Sequence, residues 1–249
     1  MVETQNKCSL WAESDNANQY LQLESTYLKQ ALGQVAGPRV MQLGNLIDAK
    51  LIADIDFPQL ILADIDSQQS CIPTVSIDPA FIPIQTEMLS TMIVPHVLER
   101  HTMPHQVLRE AHRVLIPEGH IILTGFNPVS VLGLQRYLSS KSVCPGRYVT
   151  VKRVSDWLQL LGFEIVGSAT FQYAPLVKSQ RLNKGLQFLN SIGDRWLPMF
   201  GGGYIITARK RLLNPTPLSK SALARVTKNK KRRRKLATAS STSKKETDK

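Results

Sequence analysis

Residues 89–123 read LSTMIVPHVLERHTMPHQVLREAHRVLIPEGHIIL, and the architecture of the chain is legible there first. Thr91-Met92-Ile93-Val94 is a short apolar run stopped by Pro95-His96. Pro104 then opens a helix, because a proline in the first turn has no amide hydrogen to waste and a φ already set for helix. Val107, Leu108, Ala111, Val114 and Leu115 form its apolar stripe at helical spacing, with Glu110 and Arg113 outside it. Pro117-Glu118-Gly119 breaks the chain, and His120-Ile121-Ile122-Leu123-Thr124 follows as a buried strand. Strand, loop, helix, turn and strand in succession describe one unit of a parallel sheet.

The same alternation continues on both sides. Upstream, Tyr20, Leu21, Leu23, Tyr27, Leu28, Ala31 and Leu32 recur at helical spacing before a stop at Gly33. Short apolar strands follow at Arg39–Gly44, Leu60–Ala63 and Thr74–Ile77. Downstream, a helix over Ser155–Leu161 stops at Gly162 and leads into a strand over Phe163–Val166. Leu182, Leu186 and Leu189 return to helical spacing, and Tyr204–Ala208 closes the body as a last strand. Continuously apolar strands between helices imply an α/β fold, a mostly parallel sheet with helices on both faces. The final strand arrives after a long irregular stretch and is expected to run antiparallel. The boundaries expected are an N-terminal segment over 1–19, an α/β domain over 20–210 and a tail over 211–249.

Composition removes several classes. With 43% apolar residues in 249, the chain can bury a sizeable core, so collagen-like and wholly disordered classes are excluded. No apolar run is long enough to span a bilayer, and the first residues carry neither a basic nor an apolar leader region. The three cysteines, Cys8, Cys71 and Cys144, lie at wide, patternless spacing that suits reduced thiols in a cytoplasm. His96, His101 and His105 make no convincing metal triad, since no cysteine or carboxylate completes the set.

The formal charge of +12 is not spread evenly. Residues 209–249 hold 15 Lys/Arg against Glu246 and Asp248, a net +13, so the rest of the chain sums to −1. The basic excess therefore belongs to a Ser/Thr/Ala/Lys-rich tail with too few large apolar side chains to offset its ordering entropy. Disorder is expected from about residue 213, with a helical stretch near Leu218–Lys235. The run Lys228, Lys230, Lys231, Arg232, Arg233, Arg234 and Lys235 has the composition of a segment that binds RNA or another polyanion by releasing counterions. The other reading is a solvated tail that aids solubility. No aromatic residue follows Tyr204, so polyanion binding there would be salt-sensitive and blind to sequence.

Ligands of open α/β sheets bind beyond the carboxyl ends of the strands, where the strand order reverses. Gly44, Asp64, Asp78, Pro95-His96 and the Gly125–Asn127 turn all stand at such ends. Acids after successive strands suit a ligand rich in hydroxyl and amine donors, such as a nucleoside. Each alone is also what a turn requires, because Asp and Asn side chains bond to their own backbone.

Residues 89–123 resemble the class I S-adenosylmethionine-dependent methyltransferases, specifically the type-11 methyltransferase domain. Ser90–Glu99, Pro104–Glu110 and Arg113–Gly119 follow that family's pattern almost step by step, and about residues 20–210 fit it overall. Arg113-Val114-Leu115 with Pro117-Glu118-Gly119 identifies the fold and carries no chemistry. The resemblance implies a Rossmann-like sheet of seven strands with S-adenosyl-L-methionine across its tips. On that reading Gly44 lets the backbone approach the methionine moiety. Asp64 accepts from the ribose hydroxyls, with Asp66 as the nearby alternative. Asp78 sits near the adenine amine, and Val94, Pro95 and His96 flank the sulfonium and the acceptor entrance.

The chain departs from the family at its first loop, which usually reads acid-x-Gly-x-Gly-x-Gly. Here Gln42, Gly44, Leu46 and Asp48 stand in those places, and Ser90 replaces the Asp that precedes the fourth strand. Two readings follow. One is a working methyltransferase with an atypical loop; the other is a methyltransferase fold that has lost the cofactor and docks on RNA or another polyanion through its tail. A dehydrogenase would need Gly-x-Gly-x-x-Gly after the first strand, which the chain lacks.

Methyl transfer from a sulfonium asks the protein mainly for proximity and alignment. His96 is the candidate base for an acceptor that must lose a proton, its other reading being a hydrogen-bonded structural histidine. Asn127 is expected to cap a helix beginning near Ser130, and Trp157 and Trp196 to be core. Residues 128–200 are expected to build the acceptor-side wall, and Gly201-Gly202-Gly203 to form a flexible turn.

Overall fold

The computed structural model describes residues 15–35, 37–44, 57–64, 75–138, 146–174 and 200–211. Its elements are α1 (Asp15–Val35), β1 (Arg39–Leu43), β2 (Gln59–Asp64), β3 (Val75–Ser76), β4 (Leu89–Pro95), α2 (Val97–Arg100), α3 (Pro104–Val114), β5 (Leu115–Phe126), α4 (Val131–Leu138), α5 (Val151–Leu160), β6 (Phe163–Phe171) and β7 (Gly203–Lys210). The strands form one seven-stranded sheet in the order β3-β2-β1-β4-β5-β7-β6. Strands β1 to β5 pair in parallel, and β7 lies antiparallel between β5 and β6. The helix expected at Leu182–Leu189, all three cysteines, Leu46 and the whole tail from residue 212 lie outside the described residues.

Alternate residues of each strand point to opposite faces, and here both faces are covered. Val40, Ile93, Ile122 and Ile205 pack on one face against Leu28 and Leu32 of α1. Met41, Met92, Val94, Ile121, Leu123 and Ile206 pack on the other against Val107, Leu108, Ala111 and Val114 of α3 and Val154 and Leu158 of α5. That is why the central strands read as uninterrupted apolar runs. Each fully buried Ile or Leu contributes about 1.5–3 kcal/mol of burial free energy.

Helix α3 begins at Pro104 as expected. Its polar edge has a structural task. Arg113 donates to Glu110 Oε2 at 2.8 Å and to the carbonyls of Ile82 and Ile84 at 2.8 Å each, while the Ile82 amide donates to Glu110 Oε2 at 3.1 Å. The pair therefore ties the segment before β4 to the helix after it.

Three local expectations are corrected. Pro117-Glu118-Gly119 does not end an element; β5 runs through it, and the excess residues are absorbed as a bulge opposite Leu89–Thr91, with Glu118 at φ 62°. Helix α5 starts at Val151, four residues earlier than expected, because Thr150 caps it by accepting from the Arg153 amide at 3.4 Å. Asn127 does not cap α4. Its Oδ1 accepts from the Val129 amide and its Nδ2 donates to the Gly201 carbonyl, and Ser130 Oγ accepts from the Gly133 amide instead.

Ser90 bonds across to β1. Its Oγ accepts from the Arg39 amide at 2.9 Å and donates to the Arg39 carbonyl at 2.7 Å. Among the described residues no helix is long and apolar enough to cross a membrane.

Candidate functional site

The chain steps from β1 outward to β2 and β3, then returns to β4 on the opposite side of β1. The crevice beyond the β1 and β4 tips is therefore the switch point where such sheets take ligands. Gly44 stands at its centre with φ 99°, a conformation that suits glycine, and its amide donates to the Ala63 carbonyl at 2.7 Å. A Cβ on Gly44 would lie 2.7 Å from Val97 Cγ2 and 3.2 Å from the Pro95 carbonyl oxygen. The glycine is thus what lets the β4 tip close up against the β1 tip. Gln42 is buried and donates to the Gly44 carbonyl at 2.9 Å.

Asp64 ends β2 in a buried position. Asp78 follows β3 with a half-exposed side chain. Its Oδ1 accepts from the Ala80 amide at 2.8 Å and lies 3.1 Å from His101 Nε2. His101 is buried, and its Nδ1 accepts from the Met103 amide, so the ring links the loops after β3 and β4. Val94 packs in the larger apolar cluster, and Pro95 ends β4 buried, its carbonyl oxygen 3.2 Å from a Cβ placed on Gly44.

Arg100, at the end of α2, was not singled out by sequence. Its guanidinium reaches within 3.4 Å of a Cβ placed on Gly44 and interacts electrostatically with Asp64. Its Nε is sealed from solvent without a hydrogen-bond partner. Burial lowers the Arg100 pKa, with Asp64 and Glu99 opposing the shift.

Beside this crevice lies a buried charge cluster. His96 is wholly buried in the left-handed region, at φ 54°. Its Nε2 stands 3.0 Å from Glu24 Oε1 and its Nδ1 3.1 Å from Glu99 Oε2. Glu99 Oε1 also accepts from the Phe126 amide. Burial by itself opposes charge on the imidazole, but the two carboxylates outweigh it and raise the pKa to about 9. Burial raises the Glu99 pKa, and His96 offsets part of that. The cluster is walled by aromatic rings, with Phe126 4.2 Å and Tyr20 6.1 Å from the imidazole centroid and Tyr148 stacked on Phe126 at 5.0 Å. Burial, then the nearby carboxylates, hold the Tyr20 and Tyr204 phenols protonated.

The sequence reading found His96 but neither of its partners. A signal for Glu24 existed: Ala17, Tyr20, Glu24, Leu28 and Leu32 share one helical stripe, and all five are fully buried. A carboxylate inside an apolar stripe announces a buried partner. Glu99 lies three residues beyond His96, the spacing at which helical side chains meet.

The glycines after residue 200 also differ from expectation. None carries a positive φ, and all three are buried. A Cβ on Gly201 would lie 2.8 Å from Thr170 Cβ and one on Gly202 would lie 2.8 Å from the Gln172 carbonyl oxygen, while at Gly203 it would collide with Tyr20 Oη. They provide close packing, not a flexible turn. Trp157 is only partly buried, its ring 4.1 Å from that of His105.

With this geometry established, comparison with known proteins places the fold. No family model matches the chain. It is 36% identical over 154 residues to the uncharacterized protein YafS of Escherichia coli, a match spanning 59% of this chain and 60% of that protein. Among solved structures it is similar to a SAM-dependent methyltransferase from Archaeoglobus fulgidus, 17% identical with a TM-score of 0.55 over 76% of this chain and 94% of that one. It is likewise similar to an S-adenosylmethionine-dependent methyltransferase from Mesorhizobium loti, 16% identical with a TM-score of 0.53 over 74% and 96%. The chain has the Rossmann-like fold of SAM-dependent methyltransferases. At these identities the likeness establishes the fold, and chemistry has to be argued from the site.

Proposed function

We propose that the protein is an S-adenosylmethionine-dependent methyltransferase. The observation that carries this is a sealed, partnerless guanidinium nitrogen on Arg100 beside Gly44 and the Asp64 carboxylate at the β1/β4 switch point. A buried donor without a partner is costly, and an anionic ligand group relieves that cost. The donors and acceptors present fit this cofactor. Arg100 suits its methionine carboxylate, Asp64 its ribose hydroxyls and Asp78 its adenine amine, with Gly44, Val94 and Pro95 offering backbone. When bound, the cofactor supplies an activated methyl group with its own leaving group.

The acceptor is assigned to the His96 side of the crevice, where Phe126 and Tyr148 stack; residues 139–145 and 175–199 of the expected acceptor wall lie outside the described residues. His96 is a cation at neutral pH, so it acts there as a fixed positive charge between two carboxylates. Any proton surrendered by the acceptor is taken by the Glu24–His96–Glu99 cluster as a unit. Calorimetry tests the reading: S-adenosylmethionine or its demethylated product should bind, and Asp64→Ala should weaken it by about tenfold or more. No heat with either compound would remove the proposal.

A second reading rests on the charge run Lys228–Lys235 and on Leu46 and Asp48 in place of loop glycines. It makes the chain a non-catalytic methyltransferase-fold protein that docks on RNA or another polyanion. Replacing Arg232, Arg233 and Arg234 by serine should then abolish salt-sensitive RNA binding, with no cofactor heat in either form.

A further inference from the structure

A pocket of about 280 Å³ opens between the loop after β4 and the first turns of α3 and α5. Its wall holds Arg147, Arg153, His101, His105, Thr150 and Trp157 and contains no carboxylate. Arg147 and Arg153 are exposed, and neither guanidinium has a carboxylate partner among the described residues. Arg153 lies over the Trp157 ring at 5.4 Å, and the His105 ring packs against the same indole at 4.1 Å. His101 has both ring nitrogens engaged, by Asp78 and by the Met103 amide, and so serves as wall. The Arg153 amide is taken by the Thr150 cap, which leaves the Arg153 guanidinium as that residue's donor to the pocket.

We propose that this pocket binds the phosphate group of a small phosphomonoester. Two unpaired arginines facing one cavity give the forked, bidentate donor geometry that phosphate oxygens match. The wall itself carries no carboxylate, Asp78 lying 3.1 Å from His101 Nε2. The volume is at the low end for small-ligand sites, suiting a phosphate that carries one compact organic group. The inference goes beyond the cofactor reading and is independent of it, since it uses neither Asp64 nor Arg100.

The test reads the indole N–H resonance of Trp157 in the full-length protein, assigned with Trp157→Phe. Titrations with inorganic phosphate, ribose 5-phosphate and adenosine 5-monophosphate are run without cofactor. The Trp157 resonance should shift saturably with at least one of them, and Arg147→Ala and Arg153→Ala should each weaken that binding by about tenfold. A shift with inorganic phosphate alone identifies the dianion itself as the ligand; a stronger response to either ester identifies an organic phosphate. Phosphate caught by the basic tail would leave Trp157 still. A resonance that does not move with any of the three, or a shift that survives the Arg147→Ala/Arg153→Ala double variant with circular dichroism unchanged, overturns the proposal.

Discussion

At the scale of single residues, His96 faces a buried carboxylate from each of its ring nitrogens. Its pKa near 9 in the folded protein lies above the 6.5 of an unfolded histidine. The stability it contributes is complete below pH 6.5 and is lost as pH rises through about 9, on the order of 3 kcal/mol in all. The thermal midpoint should therefore fall between pH 6.5 and 9.5, and that fall should be absent in His96→Gln. A wild-type midpoint flat across this window would contradict the ion-pair geometry. His96→Gln should itself be less stable at pH 7 by about 3–5 kcal/mol, because it leaves two carboxylates buried without their cation. Gly125 makes the same cluster possible from the other side. A Cβ there would lie 2.5 Å from Tyr204 Oη and 2.9 Å from Glu99 Oε1. Gly125→Ala should lower the denaturation midpoint in urea by an amount matching about 1–3 kcal/mol of overpacking.

At the scale of elements, α1 and α5 are both held by burial, and α5 is started by its cap. Leu32 is fully buried between α1 and the sheet, so Leu32→Ala should cost about 2–5 kcal/mol in chemical denaturation. Thr150→Ala should cost about 1 kcal/mol, since it removes only the acceptor for the Arg153 amide. If both variants lost the same amount, α5 would be carrying more of the fold than its contacts explain. Helix α1 also brings Glu24 to His96, 72 residues away in sequence, so its docking and the charge cluster form together. The start of α5 escaped the sequence reading because Val151 and Val154 are β-branched and poor helix signals. The cap that outweighs them shows only as a threonine followed, three residues on, by an arginine whose backbone it holds.

At the scale of the whole molecule, the cofactor and tail readings separate cleanly. Calorimetry on the full chain reports the switch point, and salt-dependent RNA binding reports the tail. An enzyme delivered to RNA would respond in both, and the serine substitutions at Arg232, Arg233 and Arg234 would remove the second response alone. The strand–helix alternation, the coverage of both faces and the strand ends bearing Gly44, Asp64, Asp78 and His96 were all legible along the chain, because periodicity and turn chemistry are local properties. The partners were not. That β7 inserts between β5 and β6, that Arg100 comes to rest beside Gly44 and Asp64, and that Glu24 and Glu99 close on His96 are contacts between distant segments. Such contacts, and the charge state they impose on a buried imidazole, depend on the low dielectric and close packing that only the assembled core provides.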